Sequence, residues 1–479
     1  MSPFISLFQS FNIELISIAT LIVLFFIDIF SKKERIGTWS IVFTFILFLF
    51  HIFNWGKGTT LYPELYVNDA LAYFFKAFFI LTSLFVLIMS RDYAHNLERG
   101  QGEFFLLILM ATLGMIFLSS SVDFLVLFVS LELVTISFFI MSTYLRTDAK
   151  SIEAGLKYLI LAALSSGFLL YGISFIYGVT GSTHFSEIVQ YVAQHPMNEK
   201  ILLLGFLMIL AGIGFKIAAV PFQLWVPDVY EGSPTPVSAF LSVGSKAAGF
   251  VVLVRLLFSA FPQLRAPWIL VLSLFSAMTL LYGNLGAIPQ KNIKRFLGYS
   301  SIGHAGYLLM GLAAGSSLGL SGVLYYLLSY LFTNLGIFLI IVTFSNVHPN
   351  DEISDYTGLS KRSPFLAAAM LIALMSLAGV PPLSGFFGKF LLISSAVKGG
   401  LTWLAFLGAA NVVISLYYYL MIVKKMYMDE PQSTTPITIS LPARIAILIS
   451  MVGILFLGVF QEPALQIIDF SIKGLLTSF

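Results

Sequence analysis

Gly214-Phe-Lys-Ile-Ala-Ala-Val-Pro221 places a lysine and a proline inside an apolar run that extends from about residue 201 to 225. A bilayer core takes about 20 apolar residues per helix, so this run is a membrane span with Lys216 deep inside it. A lysine at mid-bilayer costs about 2.5–3.5 kcal/mol on insertion scales. Pro221 has no N–H to offer the carbonyl of Ile217, and its ring crowds that turn, so the helix breaks there. Freed carbonyls within hydrocarbon are tolerated only where protein or water meets them. A charge beside a break inside one span therefore points to a polar site near the membrane midplane, and away from a simple packing kink.

The rest of the chain is built for the same solvent. It is 58% hydrophobic and 10% charged, against about 25% charged in an ordinary soluble domain. About fourteen stretches have the length and apolarity of a span: 11–30, 37–55, 70–90, 103–119, 121–145, 150–179, 201–225, 235–260, 266–287, 294–314, 318–345, 364–397, 401–428 and 438–461. The expected fold is an all-α membrane protein. The first span is not a cleaved signal peptide, because Lys32, Lys33 and Arg35 follow it and no basic region precedes it. No loop is long enough for a soluble domain; 180–199 and 346–363 are the longest.

Basic residues sort by loop parity. Odd-numbered loops and their edges hold Lys32, Lys33, Arg35, Arg91, Arg99, Arg146, Lys150, Lys291, Lys294, Arg295, Lys361, Arg362, Lys424, Lys425 and Arg444. Even-numbered loops hold Lys57, Lys200, Arg265 and Lys398. The positive-inside rule then puts odd loops in the cytoplasm and both termini outside.

A second broken span supports an internal repeat. The twelfth stretch contains Gly379-Val-Pro-Pro382, as the seventh contains Ala219-Val-Pro221. Spans four to eight and nine to thirteen make two five-helix units, with the broken helix fourth in each. An odd-numbered unit repeated in tandem lies inverted relative to its copy, a transporter signature with the site near the midplane. The expected organisation is residues 1–102 for three N-terminal helices, 103–260 and 261–430 for the repeats, and 431–479 for the last helix and a short tail. Pro221, Pro381 and Pro382 are the helix-breaking positions.

Four ionisable residues lie deep in these spans: Glu132, Lys216, Lys246 and Lys389. Burial disfavours the charged form of both residue types, and a nearby opposite charge restores it. A lysine that gains and loses a glutamate neighbour can therefore alternate between holding and releasing a proton. Glu132 with Lys216 is the acid–base pair of the first unit, and Lys246 and Lys389 would relay along the midplane. A static ion pair could account for Glu132 and Lys216. It accounts poorly for Lys246 and Lys389, since no other deep acid is left to neutralise them. Lys157 lies one turn from Glu153 near a cytoplasmic end and could be an interfacial, snorkelling residue. His304 is a possible proton shuttle or a packed, hydrogen-bonded histidine. Asp228 and Glu231 could orient the following Pro-rich turn or feed protons from the cytoplasm. Arg255, Lys76 and Asp123 read as structural or edge charges.

Other chemistries are excluded. There is no cysteine, so a thiolate-held iron–sulfur cluster, a Cys-type zinc and a disulfide framework are all ruled out. The six histidines have no close pair at metal-ligand spacing, so electron chemistry is expected outside this chain. Near-balanced charge, 26 Lys and Arg against 23 Asp and Glu, argues against a nucleic-acid partner. Gly212-Ile-Gly214 lacks the third glycine of a dinucleotide loop and lies within a span.

Four stretches carry a family resemblance: EAGLKYLILAALSSGFLLYG from Glu153, AVPFQLWVPDVYEGSPTPVSAFLSVGSKAAGF from Ala219, NIKRFLGYSSIGHAGYLLMG from Asn292 and LAGVPPLSGFFGKF from Leu377. They resemble the antiporter-like membrane subunits of the bacterial proton-pumping NADH–quinone oxidoreductase (respiratory complex I), the subunit N family. The resemblance runs from about span four to span thirteen. It implies a membrane-arm subunit that moves one proton per cycle, beside sister antiporter-like subunits. NADH, FMN, iron–sulfur clusters and quinone would be handled by partner subunits, with no cofactor in this chain. It implies the bacterial plasma (inner) membrane. It also implies proton-carrying roles for Glu132, Lys216, Lys246 and Lys389, and matches for Lys157 and Lys294. One departure is Gln223, where family members usually carry a histidine; Gln cannot take up a proton, so water or His304 would have to substitute if that histidine matters. Related cation/proton antiporter subunits share the Val-Pro and buried-lysine plan and are the alternative reading. One deep acid, where a sodium site wants several carboxylates, argues against it. A structural anchor without transport is the third.

Overall fold

The computed structural model describes residues 9–30, 35–57, 60–97, 100–195, 199–346, 351–431 and 437–476. Lys32, Lys33, Arg99 and His348 lie outside the described residues. Helices dominate. No strand occurs among the described residues, only three isolated bridges: Tyr66 with Ser121, Asp123 with His184, and Asn292 with Glu352.

In chain order the helices are α1 (Asn12–Phe30), α2 (Ile36–Phe53), α3 (Ala70–Tyr93), α4 (Gln101–Ser120), α5 (Phe124–Ser142), α6 (Ala149–Thr180) and the short α7 (Phe185–Gln194). Next come α8 (Glu199–Ile217), α9 (Trp225–Gly232), α10 (Thr235–Phe240), α11 (Lys246–Arg255), α12 (Arg265–Ala287), α13 (Ile293–Ala313) and α14 (Ser317–Ser345). The last six are α15 (Leu359–Arg362), α16 (Pro364–Ala378), α17 (Ser384–Lys398), α18 (Thr402–Met428), α19 (Leu441–Val459) and α20 (Glu462–Leu476).

Polar side chains start many of these helices by accepting from otherwise orphaned N–H groups. Asp69 caps α3 through Ala72 N at 2.8 Å. Asp123 caps α5 through Leu125 N and Val126 N at 2.8 and 3.0 Å. Asn292 caps α13 through Lys294 N and Arg295 N, both at 3.0 Å.

Among the described residues, twelve helices are long and apolar enough to cross a membrane. Two of the expected fourteen spans fall outside that set for physical reasons. The helix α13 carries Lys294, Arg295, His304 and many small residues, which lowers its apolarity. The 364–397 stretch is split into α16 and α17, each 15 residues long. The seventh stretch, 201–225, is helical as α8 only to Ile217, and the 8-residue α9 begins at its end. The sequence left the tail after the last span as a short extension. Here it forms the amphipathic α20, with Ile468 and Ile472 buried, Phe470 exposed and Asp469 accepting from Ser321 of α14 at 2.7 Å.

An inner group of helices is shielded by an outer one. The stretch from Thr235 to Ala260, together with α13 and α14, is buried almost throughout, whereas α1, α6 and α18 each turn a broad apolar face outward. The inner stretch is not plain α-helix: π-helical turns at 241–245 and 256–260 flank α11. Such turns widen a helix locally and recur at functional positions.

Candidate functional site

The two helix breaks share one backbone plan. Ala218 (φ 60°) ends α8 and Gly379 (φ 87°) ends α16, both in the left-handed region. A proline follows three residues later in each, Pro221 and Pro382, and the Val220–Pro221 and Pro381–Pro382 peptides are cis. Glycine takes the left-handed conformation without the Cβ penalty; in the first break an alanine holds it. The freed backbone groups are met by protein. Trp225 donates its indole N–H to Phe215 O at 2.9 Å, and Val220 N donates to Thr279 Oγ1 at 2.9 Å. In the second break Lys389 Nζ donates to Leu377 O at 2.7 Å and to Ala378 O at 3.2 Å. Those are the carbonyls that Pro381 and Pro382 leave without partners.

The three lysines are buried, Lys216 at 3%, Lys246 at 3% and Lys389 at 2% exposed. Lys216 Nζ donates to Thr135 Oγ1 of α5 at 2.5 Å and to Tyr158 OH of α6 at 3.4 Å. Lys246 Nζ donates to both Ser301 O and Ser301 Oγ of α13 at 2.6 Å. Ser300 Oγ lies 2.5 Å from Tyr419 OH. Tyr419 OH lies 3.0 Å from His304 Nε2, and Tyr326 OH lies 2.6 Å from His304 Nδ1. Lys389 Nζ sits over the Tyr307 ring at 5.0 Å, and that ring stands 6.5 Å from Tyr326.

Glu132 is set apart from these. It is half-buried on a face of α5 whose neighbours Val129 and Ile136 are exposed. Ser166 of α6 donates to Glu132 Oε1 at 2.5 Å. Glu132 and Lys216 make no ion pair within 4.0 Å; Lys216 instead meets α5 through Thr135, three residues beyond Glu132. Lys246 and Lys389 likewise have no carboxylate partner within 4.0 Å among the described residues.

The residues at the other end of α6 form an ionic cluster. Lys157 Nζ is 2.5 Å from Asp228 Oδ2 and 2.6 Å from Glu153 Oε1. Arg295 bridges Asp228 at 2.5 Å and Glu231 at 3.2 Å, and Lys150 reaches Glu231 at 3.0 Å. Its members other than Lys157 line a cavity of about 170 Å³. Lys294 is separate and pairs with Asp351 at 3.0 Å. Gln223 is 4% exposed, with Oε1 buried and without a partner among the described residues. No group of three or more metal-holding side chains stands together among the described residues.

Several connecting groups carry no sequence signal. Thr135, Tyr158, Ser166, Ser301, Tyr326 and Tyr419 are hydroxyl residues of types the chain uses throughout, and only packing selects them. Glu14 was missed as well. It is 1% exposed and forms an ion pair with Lys76, so Glu132 is not the one acid within the helical body. Its place in the first turn of α1 hid it, because an acid there reads as a solvated helix start.

The chain matches the family model described as NADH:quinone oxidoreductase/Mrp antiporter, TM, over residues 121–415, more than half its length. It is 40% identical over 445 residues to NADH-quinone oxidoreductase subunit N of Desulforamulus reducens, covering 93% of each chain. It is 45% identical over 399 residues to subunit N of Moorella thermoacetica, covering 83% of this chain and 84% of that one. A chain of respiratory complex I from Thermus thermophilus with bound aureothin superposes with a TM-score of 0.83 at 30% identity, over 96% of this chain and 100% of that one. A chain of the Mrp complex from Dietzia shares the fold, with a TM-score of 0.87 at 20% identity over 97% of each chain. The chain therefore belongs to the NADH:quinone oxidoreductase/Mrp antiporter transmembrane family, among the relatives named NADH-quinone oxidoreductase subunit N.

Proposed function

We propose that this chain is a proton-translocating subunit of the membrane arm of an NADH–quinone oxidoreductase. It passes protons through Lys216, Lys246, His304 and Lys389, with Glu132 as the acidic partner at one end. Electron transfer from NADH to quinone takes place in partner subunits that hold the FMN, iron–sulfur clusters and quinone. The chain is thus part of an enzyme, a translocase, without a redox site of its own. Sister antiporter-like subunits flank it in a bacterial inner membrane, with both termini on the outer side.

The observation that carries this reading is the set of hydroxyl and imidazole groups that stand against and between the buried lysines. Lys216 meets Thr135 and Tyr158; Lys246 meets Ser301, whose chain neighbour Ser300 meets Tyr419; Tyr419 and Tyr326 hold His304; and Lys389 lies over the Tyr307 ring. Each member can both accept and give up a proton, or orient a water that does. Buried lysines without carboxylate partners are costly as fixed charges and are useful as sites that alternate between charged and neutral. Lys157, Asp228 and Arg295 form the cytoplasmic mouth, and Lys294 anchors the start of α13 beside it.

A fourteen-span body with inverted repeats at 103–260 and 261–430, between an N-terminal unit (1–102) and a C-terminal one (431–479), fits the same reading. Two features support the repeat. The breaks place their left-handed residue and proline at equal spacing. The bridges are also equivalent: Asp123 before α5 pairs with His184 after α6, and Asn292 before α13 pairs with Glu352 after α14.

Lys216→Ala tests the function. In membrane vesicles holding assembled complex, NADH-driven proton pumping should fall to a small fraction of the parent's. Full pumping by an assembled Lys216→Ala complex would leave the chain an anchor.

A further inference from the structure

A second set of buried ionisable groups lies outside that path, where α1, α3 and the loop before α3 meet. Glu14 and Lys76 are each 1% exposed, and Tyr66 4%. Lys76 Nζ is 2.9 Å from Glu14 Oε1 and donates to Asn68 Oδ1 at 2.8 Å. The Tyr66 hydroxyl donates to the same Oε1. Lys76 also lies over the rings of Tyr66 and Tyr73, at 5.1 and 5.8 Å. Both donors converge on one carboxylate oxygen. The other, Glu14 Oε2, is buried and meets no hydrogen-bond donor among the described residues. Nearby, His51 is fully buried; its Nε2 lies 2.9 Å from Tyr73 O, and its Nδ1 has no hydrogen-bond partner among the described residues.

A static tie between helices explains this poorly. A buried ion pair only about breaks even against apolar packing, and then only when its remaining lone pairs are satisfied. Here one oxygen of the carboxylate is overloaded and the other idle. The idle oxygen is where a proton would sit if Glu14 were neutral.

The cluster is also tied to the helix of Lys246. Arg255 lies nine residues after Lys246, about 14 Å along the helix axis. It grips both oxygens of Asp69 at 2.8 Å and donates to Ser119 O at 2.7 Å. Asp69 caps α3, and the preceding residue, Asn68, holds Lys76. Glu14 is in the first turn of α1, Lys76 in the second turn of α3, and Ser119 in the last turn of α4. By chain alternation that end of the bundle is opposite the Lys157–Asp228 cluster. The charged and titratable groups facing Glu14 and Lys76 are thus Tyr66, Tyr73, His51, Asp69 and Arg255.

We propose that Glu14, Lys76 and Tyr66 form an outer-side proton-release site in series with the mid-membrane relay. This rests on the proton-carrying function given above. In the working step, an N–H bond of the Lys76 ammonium breaks and an O–H bond forms on Glu14, leaving a neutral amine and a neutral acid. Glu14 then gives its proton to outer water and returns to carboxylate. Lys76 regains a proton arriving from the relay side, which restores the starting charges. Tyr66 stays protonated and steadies Oε1 throughout.

The test measures NADH-driven pumping in vesicles holding the assembled complex for Glu14→Gln, Glu14→Asp, Lys216→Ala and the Glu14→Gln/Lys216→Ala double variant. Gln keeps the shape and an acceptor oxygen but cannot carry the proton. For sites in series, Glu14→Gln should lose as much pumping as Lys216→Ala, the double should lose no more than either single, and Glu14→Asp should recover part of the activity. Wild-type pumping by Glu14→Gln overturns the proposal, as does a double variant well below both singles. In either case a loss in Lys216→Ala leaves the relay standing, whereas normal pumping by Lys216→Ala removes the relay itself. If Glu14→Gln fails to assemble, Tyr66→Phe takes its place, since it keeps both buried charges and removes one donor to Oε1. Reduced pumping then supports the proposal and unchanged pumping overturns it.

Discussion

Gly283→Ala should disable transport without touching an ionisable group. Gly283 of α12 faces Gly303 of α13 so closely that an added Cβ would stand 2.2 Å from Gly303 N and 2.7 Å from its Cα. Ordinary contact begins at 3.4 Å, so the two backbones must separate by about 1.2 Å. Both contacts are main-chain atoms, so no flexible side chain can absorb the overlap. Gly303 lies between Ser301 and His304. A displacement of 1.2 Å that lengthened the 2.6 Å Lys246–Ser301 bonds would stretch them to about 3.8 Å, beyond hydrogen-bonding reach. The His304 contacts with Tyr326 and Tyr419 would shift as well. Losing a hydrogen bond from a charged donor costs about 1.5–3 kcal/mol, about 10- to 150-fold in a step that depends on it. Overpacking adds about 1–3 kcal/mol of destabilisation, so assembly is checked by the amount of intact complex. The assay is NADH-driven acidification of inverted vesicles, scaled to NADH oxidation, with Gly178→Ala as control because its Cβ meets nothing within 4 Å. Pumping by an assembled Gly283→Ala complex equal to that of the control would refute the view that the α12–α13 contact sets the Lys246–Ser301 geometry.

Tyr419→Phe removes one hydroxyl that serves both Ser300 and His304; leaving a buried partner unsatisfied costs about 1–3 kcal/mol, and pumping should fall while the complex still assembles, as read by vesicle acidification. Arg255→Met should lower thermal stability by about 3 kcal/mol, the low end for a broken buried pair, because Asp69 stays 29% exposed. Burial pushes the Asp69 carboxyl up, but Arg255 and the Ala72 N–H together hold it below its ordinary value of 3.8. The pair therefore stabilises the parent fully above that value and less as pH falls through the lowered one, and melting curves of Arg255→Met should lack this acid-side loss.

Some of the candidate site was legible in the sequence. Lys216, Lys246 and Lys389 announce themselves because a charge in a long apolar run is costly against lipid and turns toward a polar interior. The breaks at Pro221 and Pro382 were legible for a similar reason, since proline removes a main-chain donor wherever it stands. The connecting hydroxyls were not. A serine costs little in a membrane helix, and nothing local separates Ser301, which holds Lys246, from Ser137, which bonds back to its own helix at Leu133 O. Gln223 shows the opposite case. Its departure from the family residue was plain, yet only packing reveals a buried amide oxygen with no partner among the described residues.

Hydropathy along the chain determined that this is a helical membrane protein and where its apolar stretches lie, because the cost of exposing peptide groups to hydrocarbon acts residue by residue. Tertiary structure decided which polar groups meet. It put Thr135 rather than Glu132 against Lys216, gave the freed carbonyls of α16 to Lys389, and joined Glu14 to Lys76 across 62 positions of chain. Such pairings depend on distances between helices far apart in sequence, and a hydrogen bond is lost over about an ångström, a precision no one-dimensional pattern carries.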